Sequence, residues 1–406
     1  MTSESIAIRT FYLGQTGTAQ FTERDQQLIS EGSLDVQQRS SEQPPQALAQ
    51  KAGWYAAATL HQIQLLTRQN HKDEPEGSPS QSLTLTNFRW PWAIKAFAES
   101  FNEFQPDSVL IEYVKLSYLL DALSPKQRTS TQCLIDTHDA LHIRCQQFRQ
   151  YGFSHWIDID REEESRELSK FDVILAIQSE EAKIFQDMAP ATKTIVCGHT
   201  TELPATGEAT LPQRPEPSKL RLGYLASTNG SNAHAIDSFL NEVWIPLMED
   251  TDHRFELVVG GSICEFVKRK IESLTPAQNL GLRLLGRVDD LPTFYNSVDL
   301  VINPVKFGTG LKIKTAESLA FGLPVLTTPA GTAGLTDDFP RNENGQNNCP
   351  VIVWDSPIAF RRELDLLANS PTRLQECSEA AKKLAQTAFS EQRAYSALKR
   401  YLNEPS

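Results

Sequence analysis

The residues best placed to do chemistry together lie in 304–334, Pro-Val-Lys-Phe-Gly-Thr-Gly-Leu-Lys-Ile-Lys-Thr-Ala-Glu-Ser-Leu-Ala-Phe-Gly-Leu-Pro-Val-Leu-Thr-Thr-Pro-Ala-Gly-Thr-Ala-Gly. Gly308-Thr309-Gly310 is a glycine loop that opens a helix. Glycine lets backbone approach a ligand closely and adopt positive φ. A helix N-terminus exposes unpaired N–H groups and a partial positive charge, which suits a phosphate. Lys312 and Lys314 add full charges at that end, and Glu317 lies about one and a half turns in, where a carboxylate accepts hydrogen bonds from sugar hydroxyls. Gly322-Leu323-Pro324 stops the helix and feeds a strand. Each piece alone has a plainer role. The glycine pair can be a turn, and Lys314 with Glu317 at i,i+3 suits a surface ion pair contributing only ~0.2–0.5 kcal/mol. The ordered combination is what points to a phosphate site.

A second constellation is Asp136-Thr137-His138-Asp139, at the end of an expected strand. Ligands of open α/β sheets bind beyond the carboxyl ends of the strands. His138 there can orient or polarise a reacting sugar, with Asp136, Asp139 and Arg144 on the acceptor side. The alternative is a hydrogen-bonded strand-end histidine followed by a helix-capping aspartate. His142, four residues after His138, has no third metal ligand beside it in the sequence, so no metal is assigned.

The 304–334 segment resembles the donor-binding motif of the retaining GT-B glycosyltransferases of family 4 (group 1). The matching residues are Phe307 to Lys314, Ala316 to Ala320 and Gly322 to Val325; residues 282–302 resemble the unit before it, and Gly223 to Pro246 the start of a donor domain. The resemblance implies a nucleotide diphosphate sugar (UDP- or GDP-sugar) as donor, with no cofactor required. It implies a glycan, lipid or protein acceptor and retention of anomeric configuration, in polysaccharide, glycolipid or glycan synthesis. It assigns ribose binding to Glu317, base contact to the Val288 backbone, and diphosphate contact to the loop of Gly308, Thr309, Gly310 and Leu311. Two departures stand out. Thr309 occupies the place of the first glutamate in the family's glutamate pair, within a G-x-G-x-K-x-K version of the motif. Gly223 to Asp237 contains no Lys or Arg where a basic pair is usual. Lys312, with Lys314 second, is therefore assigned to the diphosphate, and His138, Lys312 and Glu317 are the expected catalytic set. A GT-B-shaped binding or scaffold protein and a sugar-nucleotide epimerase are the rival readings.

The elements that must position these groups follow from periodicity. Strands are expected at 108–113, 132–136, 172–177 and 193–197, then at 220–225, 255–260, 282–285, 299–302, 323–327 and 350–353. Helices are expected at 51–67, 92–104 and 179–188, then near 233–248, 263–273, 291–297, 312–321, 357–368, 371–387 and 390–402. Strands alternating with helices imply parallel sheets covered on both faces. The expected fold is α/β of GT-B type: two Rossmann-like domains whose parallel sheets face a central cleft. Residues 1–205 form the acceptor-side domain, with 1–90 divergent. The proline-rich 206–218 is a linker. Residues 219–388 form the donor domain, and 389–406 is a helix able to pack back on the first domain.

Composition narrows the partners. The 406 residues carry a net charge of −12, with 40% hydrophobic and 22% charged residues. Nucleic-acid binders usually show a basic patch or high pI, absent here, so no nucleic-acid partner is expected and membrane contact is at most peripheral. The six cysteines are widely spaced, without a C-x-x-C pair, and read as reduced thiols. Residues 1–5 lack a signal peptide's basic and apolar regions, and no run approaches ~20 apolar residues. A cytoplasmic location is the expectation.

Overall fold

A computed structural model describes residues 8–10, 34–36, 82–201, 219–249, 254–272, 281–335 and 349–403. The expected helix at 51–67 and linker at 206–218 lie outside the described residues. The chain forms two compact units. One comprises Met1–Glu74, Asn87–Val109 and Tyr118–Gln132; the other comprises Pro75–Thr86, Leu110–Ser117 and Cys133–Ser406.

In the first unit, β1 (Ile8–Thr10) pairs in parallel with β2 (Leu34–Val36). Helix α1 (Pro91–Phe104) starts with proline at its first turn and buries Ala93, Phe97 and Phe101, a 4-residue spacing that places all three on one face. Helix α2 (Pro125–Ser130) opens with a capping box, in which the Ser124 hydroxyl accepts from Gln127 N and the Gln127 side chain accepts from Ser124 N.

Two further parallel sheets belong to the second unit, apart from Ser108, Val109 and Gln132, which are counted in the first. The four-stranded sheet runs in the order β3 (Ser108–Glu112), β4 (Gln132–Asp136), β5 (Val173–Ala176), β6 (Lys193–Val196). All four residues of β5 are buried, as expected for a strand covered on both faces. Between β4 and β5 lie α3 (Leu141–Gln150) and α4 (Arg161–Leu168), and α5 (Ser179–Met188) follows β5.

Neither α3 nor α4 was expected from periodicity, and the reason is specific. Helix α3 begins at Ala140, which makes no capping side-chain bond. Its first amides are satisfied by a distant residue: Leu141 N donates to Glu164 Oε1 at 3.0 Å and His142 N to Glu164 Oε2 at 2.8 Å. Helix α4 buries Glu164 and Leu168, so a carboxylate sits where an apolar residue would normally mark the buried face.

The six-stranded sheet runs β12-β11-β10-β7-β8-β9, all parallel. Its strands are β7 (Leu220–Leu225), β8 (Phe255–Gly260), β9 (Leu282–Gly286), β10 (Leu300–Asn303), β11 (Val325–Thr327) and β12 (Val351–Val353). Helix α6 (Gly230–Phe239), capped by Asn229, passes through a π-helical stretch at Leu240–Trp244 into α7 (Ile245–Glu249). Pro246 has no N–H to bond back up the helix, which accounts for the interruption of a helix expected to be continuous. Helices α8 (Ile263–Glu272), α9 (Leu291–Asn296), α10 (Ile313–Ala320), α11 (Pro357–Ala368) and α12 (Pro371–Ala388) complete the layers. Asp290, Ser356 and Ser370 cap α9, α11 and α12, each contributing about 1 kcal/mol. Trp244, Tyr224, Phe239, Phe255 and Phe360 are fully buried in the core. The last helix, α13 (Glu391–Asn403), lays Ala397, Leu398 and Tyr401 against Leu134, Val173, Leu175 and Ile195 of the four-stranded sheet.

Candidate functional site

Loops leaving the carboxyl ends of both sheets meet around Gly310. Buried β10 ends at Asn303, whose Nδ2 donates to Thr315 Oγ1 at 3.0 Å and so ties the strand end to the first turn of α10. The loop between them takes positive φ at Gly308 (123°) and Gly310 (73°). A Cβ at Gly310 would stand in ordinary contact, 3.4 Å from both Asp139 Cβ and the His138 carbonyl oxygen, so it is the backbone conformation that selects glycine.

The expected lysines are both half-buried and both engaged. Lys312 Nζ donates to the carbonyls of Gly308 (2.7 Å), Thr309 (3.0 Å) and Gly310 (3.4 Å), so its three donors fold the glycine loop around the ammonium. Burial and the Arg144 charge push its pKa down to about 8, against the pull of Glu181 and Asp139. Lys314 Nζ donates to Asn232 Oδ1 at 2.9 Å and lies 4.9 Å from the Tyr224 ring centre. Its partner is therefore a residue of α6, not Glu317 at i,i+3. Burial and neighbouring Lys312 lower its pKa to about 8, with Glu317 opposing.

Glu317 Oε2 accepts from the Tyr295 hydroxyl at 2.9 Å. Half-buried His199, from the segment after β6, also senses Glu317: burial lowers its pKa and the glutamate charge raises it. Leu311 and Val288 pack at the edge of the cluster formed by Val258, Phe294, Val301 and Leu319. Val288 lies just past the carboxyl end of β9, and its side chain fills the space a Cβ on Gly260 would need.

The His138 loop is strained. His138 (φ 60°) and Tyr113 (φ 64°) both adopt left-handed backbone, and their rings stack at 4.1 Å with an interplanar angle of 14°. Non-glycine residues in this region cost free energy and cluster at functional positions. Asp136 Oδ1 accepts from His138 N at 3.3 Å. His138 Nε2 is buried without a hydrogen-bond partner. Asp139, expected either as acceptor-side residue or helix cap, pairs with Arg144, while the start of α3 belongs to Glu164. His142 Nδ1 lies 2.6 Å from Glu164 Oε2.

Two groups that sequence reasoning missed face the glycine loop. Gly310 N donates to Glu181 Oε1 at 2.9 Å, and Gly308 N to Gln147 Oε1 at 2.7 Å. Glu181 lies in the first turn of α5, beyond the end of β5, a position the strand-end rule could have marked. Gln147 and Tyr295 carry no comparable signal. Orphaned polar atoms gather here as well: besides His138 Nε2, Asp139 Oδ1, Glu181 Oε2 and Thr309 Oγ1 are buried without partners. Buried polar atoms are normally paired, so such a group marks a place for a polar ligand.

Comparison with known proteins now has a geometry to meet. Residues 219–369, the six-stranded sheet with its helices through α11, match the family described as glycosyl transferases group 1. That stretch is similar to the group 1 glycosyl transferases and covers less than half of the chain. No curated protein sequence matches the chain. Among solved structures, TarM is similar at a TM-score of 0.57 and 13% identity, over 76% of this chain and 57% of TarM. A glycosyltransferase from Rickettsia africae is similar at 0.55 and 16%, over 78% and 83%. Anabaena HepE, solved with UDP and glucose, is similar at 0.52 and 15%, over 78% and 82%. The chain thus spans under three fifths of TarM's length. At these identities the likeness establishes the fold, which is GT-B with two Rossmann-like parallel sheets. Among the described residues, no helix is long and apolar enough to cross a membrane.

Proposed function

We propose that the protein is a glycosyltransferase that moves a sugar from a nucleotide diphosphate sugar to an acceptor hydroxyl. The observation carrying this reading is the meeting of the Gly308–Lys312 loop with the His138–Asp139 loop, a junction where buried polar atoms stand without partners. The likeness to the group 1 glycosyl transferases supplies the family context, and the UDP in the HepE structure makes a UDP-sugar the donor to try first.

In this reading the Gly310 and Leu311 amides hold the diphosphate. Lys312 supplies positive charge at the base of the loop and Lys314 supports it. Glu317 accepts the ribose hydroxyls, and Val288 backbone meets the base. As the glycosidic bond breaks, the leaving diphosphate gathers negative charge, which these groups are already arranged to stabilise. His138, with its free Nε2, faces the reacting sugar, and Asp136, Asp139 and Arg144 lie on the acceptor side. Retention of configuration, a metal-independent reaction, a cytoplasmic location and a role in glycan or polysaccharide synthesis belong to the same proposal. So do an acceptor-side domain over 1–205, a donor domain over 219–388 and a helix over 389–406 that packs back on the first domain.

The test is transfer from UDP- and GDP-sugars by the wild type and by Lys312→Ala and Glu317→Ala. Both variants are expected to lose most activity. Near-wild-type rates in both would remove the site assignment. One observation favours a second reading, a nucleotide-sugar-binding protein without turnover: Thr309 stands where the family has a glutamate, and the neighbouring Gly310 amide is held by Glu181. Tight UDP-sugar binding without transfer across a broad acceptor panel would select it.

A further inference from the structure

The amide assigned to the donor diphosphate is not free: it donates to a carboxylate. Glu181 is only 3% exposed, and its Oε1 accepts from both Gly310 N (2.9 Å) and Ala140 N (3.3 Å). It therefore bridges the glycine loop and the His138 loop. Its second oxygen, Oε2, is buried without a partner, as are the neighbouring Thr309 Oγ1 and Asp139 Oδ1. A single N–H cannot serve Glu181 and a phosphate oxygen equally, and two anions side by side in a buried site repel.

We propose that Glu181 is a further donor-site residue, a carboxylate that holds the Gly310 amide in the empty site and becomes a neutral acid when a nucleoside diphosphate takes that amide. In the neutral form Oε2 carries the proton and donates to a phosphate oxygen, giving the orphaned oxygen a partner. At a pH well above the Glu181 pKa, one proton is taken from solvent for each diphosphate bound, and no covalent bond is made. This rests on the donor reading above and adds to it a proton count and a residue from the other sheet.

The surroundings permit the change of state. Burial first, and the Asp139 charge with it, push the Glu181 pKa up to a net value of about 7. The Gly310 and Ala140 amides and Lys312 oppose that rise. The Arg144 guanidinium is paired with Asp139. Lys312 titrates near pH 8, so it adds its own pH dependence, but a lysine contributes no carboxylic acid.

The experiment measures UDP and GDP binding by calorimetry at pH 6 and pH 8, for the wild type and Glu181→Gln, with infrared difference spectra on adding UDP at pH 8. The isosteric glutamine keeps an acceptor for Gly310 N and mimics the neutral acid. The wild type should lose about tenfold more affinity than the variant between the two pH values, since pH 8 lies one unit above the Glu181 pKa. UDP should also raise a D2O-sensitive protonated-carboxyl band in the wild type that Glu181→Gln lacks. Binding of UDP to the wild type with no such band overturns the proposal and leaves the donor reading standing. Equal affinity ratios in the two proteins also overturn it. Failure of both proteins to bind UDP or GDP at either pH removes the donor reading itself, and this inference with it.

Discussion

The Tyr295 hydroxyl donates to Glu317 Oε2 at 2.9 Å, linking the short helix α9 to the carboxylate assigned to the ribose. Tyr295 is buried, and its ring stacks on Phe321 at 4.6 Å, so Tyr295→Phe keeps the packing and removes only the bond. A hydrogen bond to a charged group contributes about 1.5–3 kcal/mol. Unfolding stability of Tyr295→Phe should therefore fall by about that amount, and UDP affinity should fall with it because Glu317 loses the bond that orients it. A calorimetric Kd equal to wild type would disconnect Tyr295 from nucleotide binding.

Lys312 links activity to alkaline pH. Its pKa is depressed to about 8, so the ammonium is present below pH 8 and lost as pH rises through it. Any transfer that depends on this charge should decline above pH 8. Arginine does not deprotonate in this range. In Lys312→Arg the part of the decline above pH 8 should disappear, even if the maximal rate is lower. A rate profile with the same alkaline limb in both proteins would exclude Lys312 as its source.

His138 allows backbone strain to be separated from chemistry. At φ 60°, asparagine is tolerated, whereas a β-branched residue is a true outlier. Left-handed backbone costs roughly 1–2 kcal/mol for an ordinary residue. His138→Asn and His138→Val both lose the ring stacked on Tyr113, so their difference in denaturant stability should be about that amount, with Val the less stable. Transfer should fall in both. A His138→Asn variant with full activity would take the imidazole out of the reaction.

Much of this fold was legible because its signals are local. The strands at 220–225, 255–260 and 300–303 are apolar runs between turn residues, and the structure covers them on both faces. Lys312, Lys314 and Glu317 were legible as a site because they share one stretch with the glycine loop. Helix α4 was not, since Arg161-Glu162-Glu163-Glu164-Ser165-Arg166 has no apolar periodicity and its buried member is a glutamate. Glu181 and Gln147 were missed for the same kind of reason. They are distant in sequence from Gly308 and Gly310 and become neighbours only when the two sheets are built. The sequence also suggested Lys314 and Glu317 as an ion pair, and burial chose Asn232 and Tyr295 as their partners instead.

His155 should make the protein sensitive to mild acid. It is buried beside Phe148 and Cys145, and burial, with Arg144, lowers its pKa to about 4. The unfolded chain, with an ordinary histidine near 6.5, binds more protons between pH 4 and 6.5. Stability is then complete above pH 6.5 and falls as pH drops toward 4, by up to about 3 kcal/mol from this residue. Urea denaturation at pH 7 and pH 5 should show the loss in the wild type and a smaller one in His155→Leu. An identical loss in both would place the acid sensitivity elsewhere.

The bond between Glu164 and the start of α3 has a consequence for the chain on either side of it. A helix whose opening turn is completed by a residue more than twenty positions downstream cannot be nucleated by its own sequence. The observed form of the segment bearing His138 and Arg144 therefore depends on α4 being packed beside it. A single buried glutamate, Glu164, thus conditions the shape of the segment that carries His138 and Arg144.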